Sequence, residues 1–322
     1  SYDFNTNWTA KFGRQVLSYD NQRIMGGIDW LQQGQSHDAV LVTNKKNNYQ
    51  LDFGAALNNN NEALYESTYV TNYKNMQFIW FNQKFSKLSL SFLALNNGYQ
   101  YENLTENKFQ VAYLQTVGTY GKWDASKFYG DFGLYAQTGE ATLTNDKVAV
   151  GAYYAGFNLG YKFTNPFKAE LGFEYLSGKD QNDTDTKVKS FTPLFGTNHG
   201  FNGLMDYFYV GNHKNSVGLQ DFYTKFIYDK NKWQVTLAPH LFYSAASVYN
   251  MTTLEEQDSY LGTEIDLTAT YKMDKNFVIS GGVSKMFASD TMEILKGGNN
   301  NNCNNWAWVM VSFNPQLFTY KK

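Results

Sequence analysis

Arginine, cysteine and proline are nearly missing from this 322-residue sequence, and each scarcity excludes something. Arg14 and Arg23 are the only arginines, and the formal net charge is −2. Positive residues form no long block, so nucleic acid is not an expected partner. Cys303 is alone, which rules out an internal disulfide framework and a cysteine-rich metal site. No segment approaches the roughly 20 apolar residues of a transmembrane helix. No signal peptide is read at Ser1, as expected of a mature or trimmed chain.

Aromatic residues are abundant, at 18%, and most are Tyr and Phe. With prolines only at Pro166, Pro193, Pro239 and Pro315, this composition favours strands over helices or disorder. Fourteen segments have the length of tilted membrane strands: 8–17, 36–45, 49–57, 74–83, 88–97, 108–120, 127–137, 148–163, 167–177, 217–229, 232–246, 259–273, 276–288 and 304–314. Period-two alternation is clear in 259–273, where Leu261, Ile265, Leu267, Ala269 and Tyr271 oppose Glu264, Asp266, Thr268, Thr270 and Lys272. The same pattern recurs in 148–163 and 167–177. Apolar faces are expected toward lipid and polar faces toward a lumen.

The connections carry the stronger signal. Short turns near 45–48, 84–87, 121–126, 164–166, 229–231 and 274–275 alternate with long polar stretches at 18–35, 58–73, 98–107, 138–147, 178–216, 247–258 and 289–303. A barrel with periplasmic turns and outer loops requires this sorting, whereas a soluble β-sandwich does not. Phe85, Trp123, Phe163, Trp233, Phe277 and Phe318 near strand ends fit an interfacial girdle. The expected fold is therefore all-β: a transmembrane antiparallel up-and-down β-barrel of about 14 strands in the bacterial outer membrane. Residues 1–322 read as one domain, with the bilayer and outer-leaflet lipopolysaccharide as its surroundings.

Two readings stay open for Arg14 and Arg23. They could form an anion-attracting constriction, or pair with carboxylates such as Asp20, Asp29 or Asp38 and stiffen the wall. Other pore-lining candidates are Asp29, Asp38, Asp52, Asp131, Glu170, Glu174, His240, Glu264 and Asp266. The 178–216 loop is expected to fold into the mouth or lumen, because it is too apolar for free solvent. Its gate or plug candidates are Phe191, Phe195, His199, Phe201, Asp206, Tyr207 and His213. The spacing of His199, Asp206 and His213 matches no compact metal motif, so hydrogen bonding is the favoured role. His240 with Ser244 or Ser247 lacks any activating context, and the paired carboxylates read as lumen charge. No catalytic residue, metal or cofactor is expected.

Two blocks resemble a known family. Gly13-Arg14-Gln15, Ser18, Asp20, Gln22-Arg23, Gln33, Ser36 and Asp38 form the first. Gly172-Phe173, Ser177-Gly178, Asp180, Pro193, Gly196-Thr197, His199, Phe201, Gly203 and Asp206 form the second. Together they resemble the alginate-export family of Gram-negative outer-membrane barrels, and the richness in Asn, Lys and Tyr resembles Bacteroidetes-type members. The resemblance implies an eighteen-stranded monomeric barrel passing an anionic sugar polymer. About four strands would then precede the first segment, so an N-terminal portion is expected to be absent from this chain. Scarce arginine and an acidic, mixed lining depart from the family pattern. The expected function is a porin-like channel for polar solutes, including anionic or neutral saccharides. The alternative is a plugged barrel serving as a structural or partner-binding component of an envelope complex.

Overall fold

The structure, a computed structural model, describes residues 1–28, 34–58, 72–143, 146–208, 216–316 and 318. A single 15-stranded sheet accounts for nearly all regular structure, with each strand antiparallel to its sequence neighbours. Its strands are β1 (Tyr2–Asp3), β2 (Trp8–Gln15), β3 (His37–Lys46), β4 (Tyr49–Leu57), β5 (Asn75–Phe85), β6 (Leu88–Asn103), β7 (Lys108–Ala125) and β8 (Phe128–Leu143). They continue as β9 (Asp146–Lys162), β10 (Phe167–Leu176), β11 (Leu219–Lys230), β12 (Trp233–Tyr243), β13 (Tyr260–Lys272), β14 (Phe277–Ala288) and β15 (Asn304–Phe313). A short helix, α1 (Asp290–Lys296), starts at Ser289, whose side chain accepts a hydrogen bond from the Met292 amide.

The fourteen expected segments are β2–β15. The addition is β1, where Tyr2 and Asp3 pair with Ala10 and Thr9. Two expected loops are not loops. Most of 98–107 and 138–147 is strand, because β6 runs to Asn103 and β8 to Leu143. Backbone pairing needs no apolar side chains, and polar side chains here extend the ladder: Gln115 donates to Asn96 and Asn96 donates to Gln77, both at 2.7 Å. The strict order of short turns and long loops therefore fails at β6–β9, where long strands are joined by short connections.

Alternation explains which face each residue takes. Ile79, Phe92, Leu134, Phe157, Leu171 and Phe226 project outward and are exposed, a surface suited to lipid and not to water. Each contributes roughly 1.5–3 kcal/mol when removed from water. Leu261, expected on that face, is buried instead. The positive φ of Gly262 and a register shift at Phe242/Tyr243 turn the end of β13 inward.

The lumen holds more apolar packing than the expected polar lining. Loop residues Leu17, Ile24, Met25, Phe191 and Phe195 form one core with Phe78, Leu93, Leu95, Tyr135 and Tyr154 of the wall. The loops touch the inner side around much of the sheet, from Trp80 on β5, hydrogen-bonded to Asp20, to Trp306 on β15, against His199. No pairing joins β15 to β1 or β2 among the described residues.

Candidate functional site

Two loops, distant in sequence, meet inside the sheet. Residues 16–28 descend from β2, and residues 190–208 descend from β10. Met25 and Phe195 form an isolated parallel bridge. The Gly26 amide donates to the Phe195 carbonyl at 2.9 Å, the Phe195 amide to the Ile24 carbonyl at 3.0 Å, and the Thr197 amide to the Gln22 carbonyl at 2.9 Å. Glycine is required at this crossing. A Cβ on Gly196 would lie 2.2 Å from the Arg23 carbonyl oxygen, and one on Gly26 would lie 2.8 Å from the Thr197 amide nitrogen.

Arg23 is the hub, with only 1% of its surface exposed. Its Nη2 donates to Glu174 at 2.9 Å and to Asn202 at 2.8 Å, while Nη1 donates to Asn198 at 3.2 Å. The Phe201 and Tyr154 rings flank the guanidinium at 4.5 and 5.4 Å. Asn202 donates onward to Glu174 at 2.8 Å and Asp221 at 3.2 Å. Asp221 lies 3.0 Å from His240 Nδ1. The Leu204 amide then donates to Asp266 at 3.2 Å and the Met205 amide to Glu264 at 2.9 Å. A row of loop donors thus meets a row of carboxylates on β10, β11 and β13.

The opposite side of the loops is anchored differently. Phe191 is fully buried against Tyr154, and Phe195 meets His37 and Tyr73 edge-on. Tyr19 packs on Phe78 and Trp80, and its hydroxyl donates to Asp52 at 2.9 Å. Burial and the neighbouring Asp52 carboxylate push the Tyr19 hydroxyl up, and burial pushes the Asp20 carboxyl up.

The pore-lining candidates separate cleanly. Asp52, Asp131, Glu170, Glu174, His240, Glu264 and Asp266 stand on inward positions of their strands, and Arg23 reaches the lumen from its loop. Arg14 and Asp38 do not, which corrects their assignment to the pore. Gln15 and His37 take the inward positions, so alternation turns Arg14 and Asp38 outward. There they form a two-pronged pair at 2.9 Å with side chains 74% and 50% exposed. Asp29 and His213 lie outside the described residues. Of the remaining loop candidates, Phe191, Phe195, Phe201 and Tyr207 belong to the plug, and His199 Nδ1 lies 2.9 Å from Asp206.

Asn198 and Asn202 were missed by the sequence reading, although each contacts Arg23 directly. Asn202 has a positive φ and precedes Gly203, a turn signal that could have flagged it. Beneath the plug, toward the turns, a cavity of about 380 Å³ is lined by Glu170, Gly203, Lys225, Thr236, His240 and Asp266, among others. His240 and Ser244 share no hydrogen bond, since the His240 ring is engaged by Asp221. No group of three or more His, Cys, Asp or Glu residues could hold a metal among the described residues.

A family model described as alginate export matches residues 3–304. No curated protein matches in sequence. Among solved structures, OccAB4 of Acinetobacter baumannii is similar at 11% identity and a TM-score of 0.58, covering 95% of this chain and 71% of that one. The CymD monoaromatic hydrocarbon channel aligns at 10% identity with a TM-score of only 0.32, over 96% of this chain and 87% of that one. The fold is that of an outer-membrane β-barrel, reached here from strand lengths, pairing and the apolar outer face.

Proposed function

The chain belongs to the alginate export family of transport channels, and from that premise we propose that it is a gated passive channel for polar solutes, saccharides among them. The constriction is Arg23 with the 190–208 segment. One observation carries this reading: the 202–205 segment meets Glu174, Asp221, Glu264 and Asp266 through hydrogen bonds, joined by the Arg23–Glu174 ion pair, above a chamber of about 380 Å³ and beside one apolar contact of Phe208 with Phe242. Polar contacts can be exchanged for water or solute hydroxyls at little net cost, whereas a packed apolar seam cannot. The outward Arg14–Asp38 pair and the Gln77–Asn96–Gln115 ladder belong to the level of the outer-leaflet head groups, where lipopolysaccharide would meet them.

Planar-bilayer recording tests the proposal. The full chain should show brief stepwise openings, and replacing 190–213 by a short flexible linker should leave a larger, steady conductance. Silence from both proteins would sink the channel reading. The second reading, a permanently filled barrel in an envelope assembly, is favoured by the complete burial of Phe191. It predicts no conductance from the full chain together with reproducible co-purification of one envelope protein.

A further inference from the structure

The carboxylates facing the plug outnumber the cations that meet them. Glu174 and Asp221 are direct cross-strand partners on β10 and β11. Across β12, His240 is paired with Glu264, and Ala238 with Asp266. The four carboxylates thus form a slanting band across the lumen wall, with Asp266 nearest the turns, and among the described residues Arg23 is the one arginine or lysine ion-paired with it. Lys225, opposite Glu170, lines the same cavity as Asp266 without an ion pair to it. Glu264 is 0% exposed, and its Oε2 has no hydrogen-bond partner, although the carboxyl faces the Gly203 backbone closely enough that a Cβ there would lie 2.6 Å away. A buried carboxylate oxygen with nothing donating to it is an unfilled acceptor aimed at the plug.

The surroundings of Arg23 have the form of a ligand cage. A planar cation is held between two rings, Phe201 and Tyr154, and is bonded at its edge by a carboxylate and two amide oxygens. Aromatic faces with a carboxylate edge favour a delocalised or organic cation over a hydrated metal ion. We propose that the Glu174–Asp221–Glu264–Asp266 band is the solute-recognition site of the channel, that it takes guanidinium- or ammonium-bearing polar solutes, and that Arg23 is its built-in occupant in the closed state. A solute cation exchanges with Arg23 at Glu174, the Asn202 bridge to Asp221 lets go, and the 202–205 segment leaves the wall. The proposal deepens the channel reading and rests on it for transport, but the cage itself can be tested separately.

The test uses purified Arg23→Ala in detergent and in bilayers, with guanidinium chloride as probe against urea and sodium chloride at the same millimolar concentrations. Guanidinium alone should raise the unfolding temperature of Arg23→Ala by several degrees and cut its excess conductance at least several-fold. Adding Glu174→Gln to this variant should abolish both effects. The open current of Arg23→Ala should also favour cations, read as the reversal potential across a potassium chloride gradient. If Arg23→Ala does not fold, Arg23→Gln carries the same measurements, because its neutral amide can still donate to Glu174 while the cation's place is vacated. Guanidinium and urea acting alike, or an anion-selective current, overturns the proposal. Thermal protection by guanidinium with no conductance from any variant supports the cage and removes the channel reading instead.

Discussion

The two flanks of the plug are built from different chemistry. Toward β3–β9, Leu17, Ile24, Met25, Phe191 and Phe195 merge with wall residues into a packed core. Toward β10–β13, Arg23, Asn202, Leu204 and Met205 donate hydrogen bonds to wall carboxylates, beside a ring contact of Phe208 with Phe242. The first flank loses dispersion contacts and apolar burial if it parts, and nothing in water replaces them. The second loses hydrogen bonds that water or a solute can remake, although its carboxylates tolerate no dry separation. On the channel reading, the plug hinges on its apolar flank and latches on its polar one.

The comparison can be broken most severely at Phe191. Phe191→Ala should cost about 3–5 kcal/mol, because the cavity it leaves is fully enclosed. Heat-modifiable gel mobility reads this as a lower unfolding temperature. Loss of the latch with no loss of stability would invert the assignment of the two flanks. Glu174→Gln should release about 3 kcal/mol of latch energy by leaving the Arg23 charge buried without its partner. Its signature is faster hydrogen exchange across 198–206 and more frequent openings, with the β3–β9 core still protected. Exchange that rises equally on both flanks would show that they are not separable.

Gly196→Ala acts on the crossing itself. A methyl group 2.2 Å from the Arg23 carbonyl forces the two loops apart, at about 1–3 kcal/mol. Both the conductance and the exchange at 22–28 should rise, whereas Gly200→Ala, where a Cβ meets nothing within 4 Å, should be silent in both. The smallest effect is expected at Arg14→Ala. This residue is exposed on the outer face and bonded to Asp38, so conductance and ion selectivity should stay at wild-type values in bilayer recordings. A selectivity change there would return Arg14 to the pore.

Much of the wall was legible in the sequence, because period-two alternation is a local signal and strands β9, β10 and β13 carry it openly. Their inward carboxylates could be named from parity once a few neighbours were assigned to lipid. Parity also decides Arg14, but β2 alternates weakly, with Lys11 and Phe12 both exposed, and being the only two arginines is a matter of composition that carries no information on facing. The polar hairpin strands at 98–103 and 138–143 have a loop-like composition, while their backbone pairing depends on neighbours that composition does not register. The plug was foreseen as a place and not as a contact set. The meeting of Arg23 with Asn198 and Asn202 spans more than 170 residues of chain, and no local pattern encodes it.

That separation has a consequence for assembly. The Met25–Phe195 bridge joins segments on opposite sides of eight intervening strands, so its closure entropy is met only after those strands have brought the loops together. The growing wall is therefore hollow through most of its construction, and the stopper arrives late, as an act of completion. A lumen filled last can be checked for fit by the finished wall around it, which makes closure of the pore a report that the barrel beneath has been laid in register.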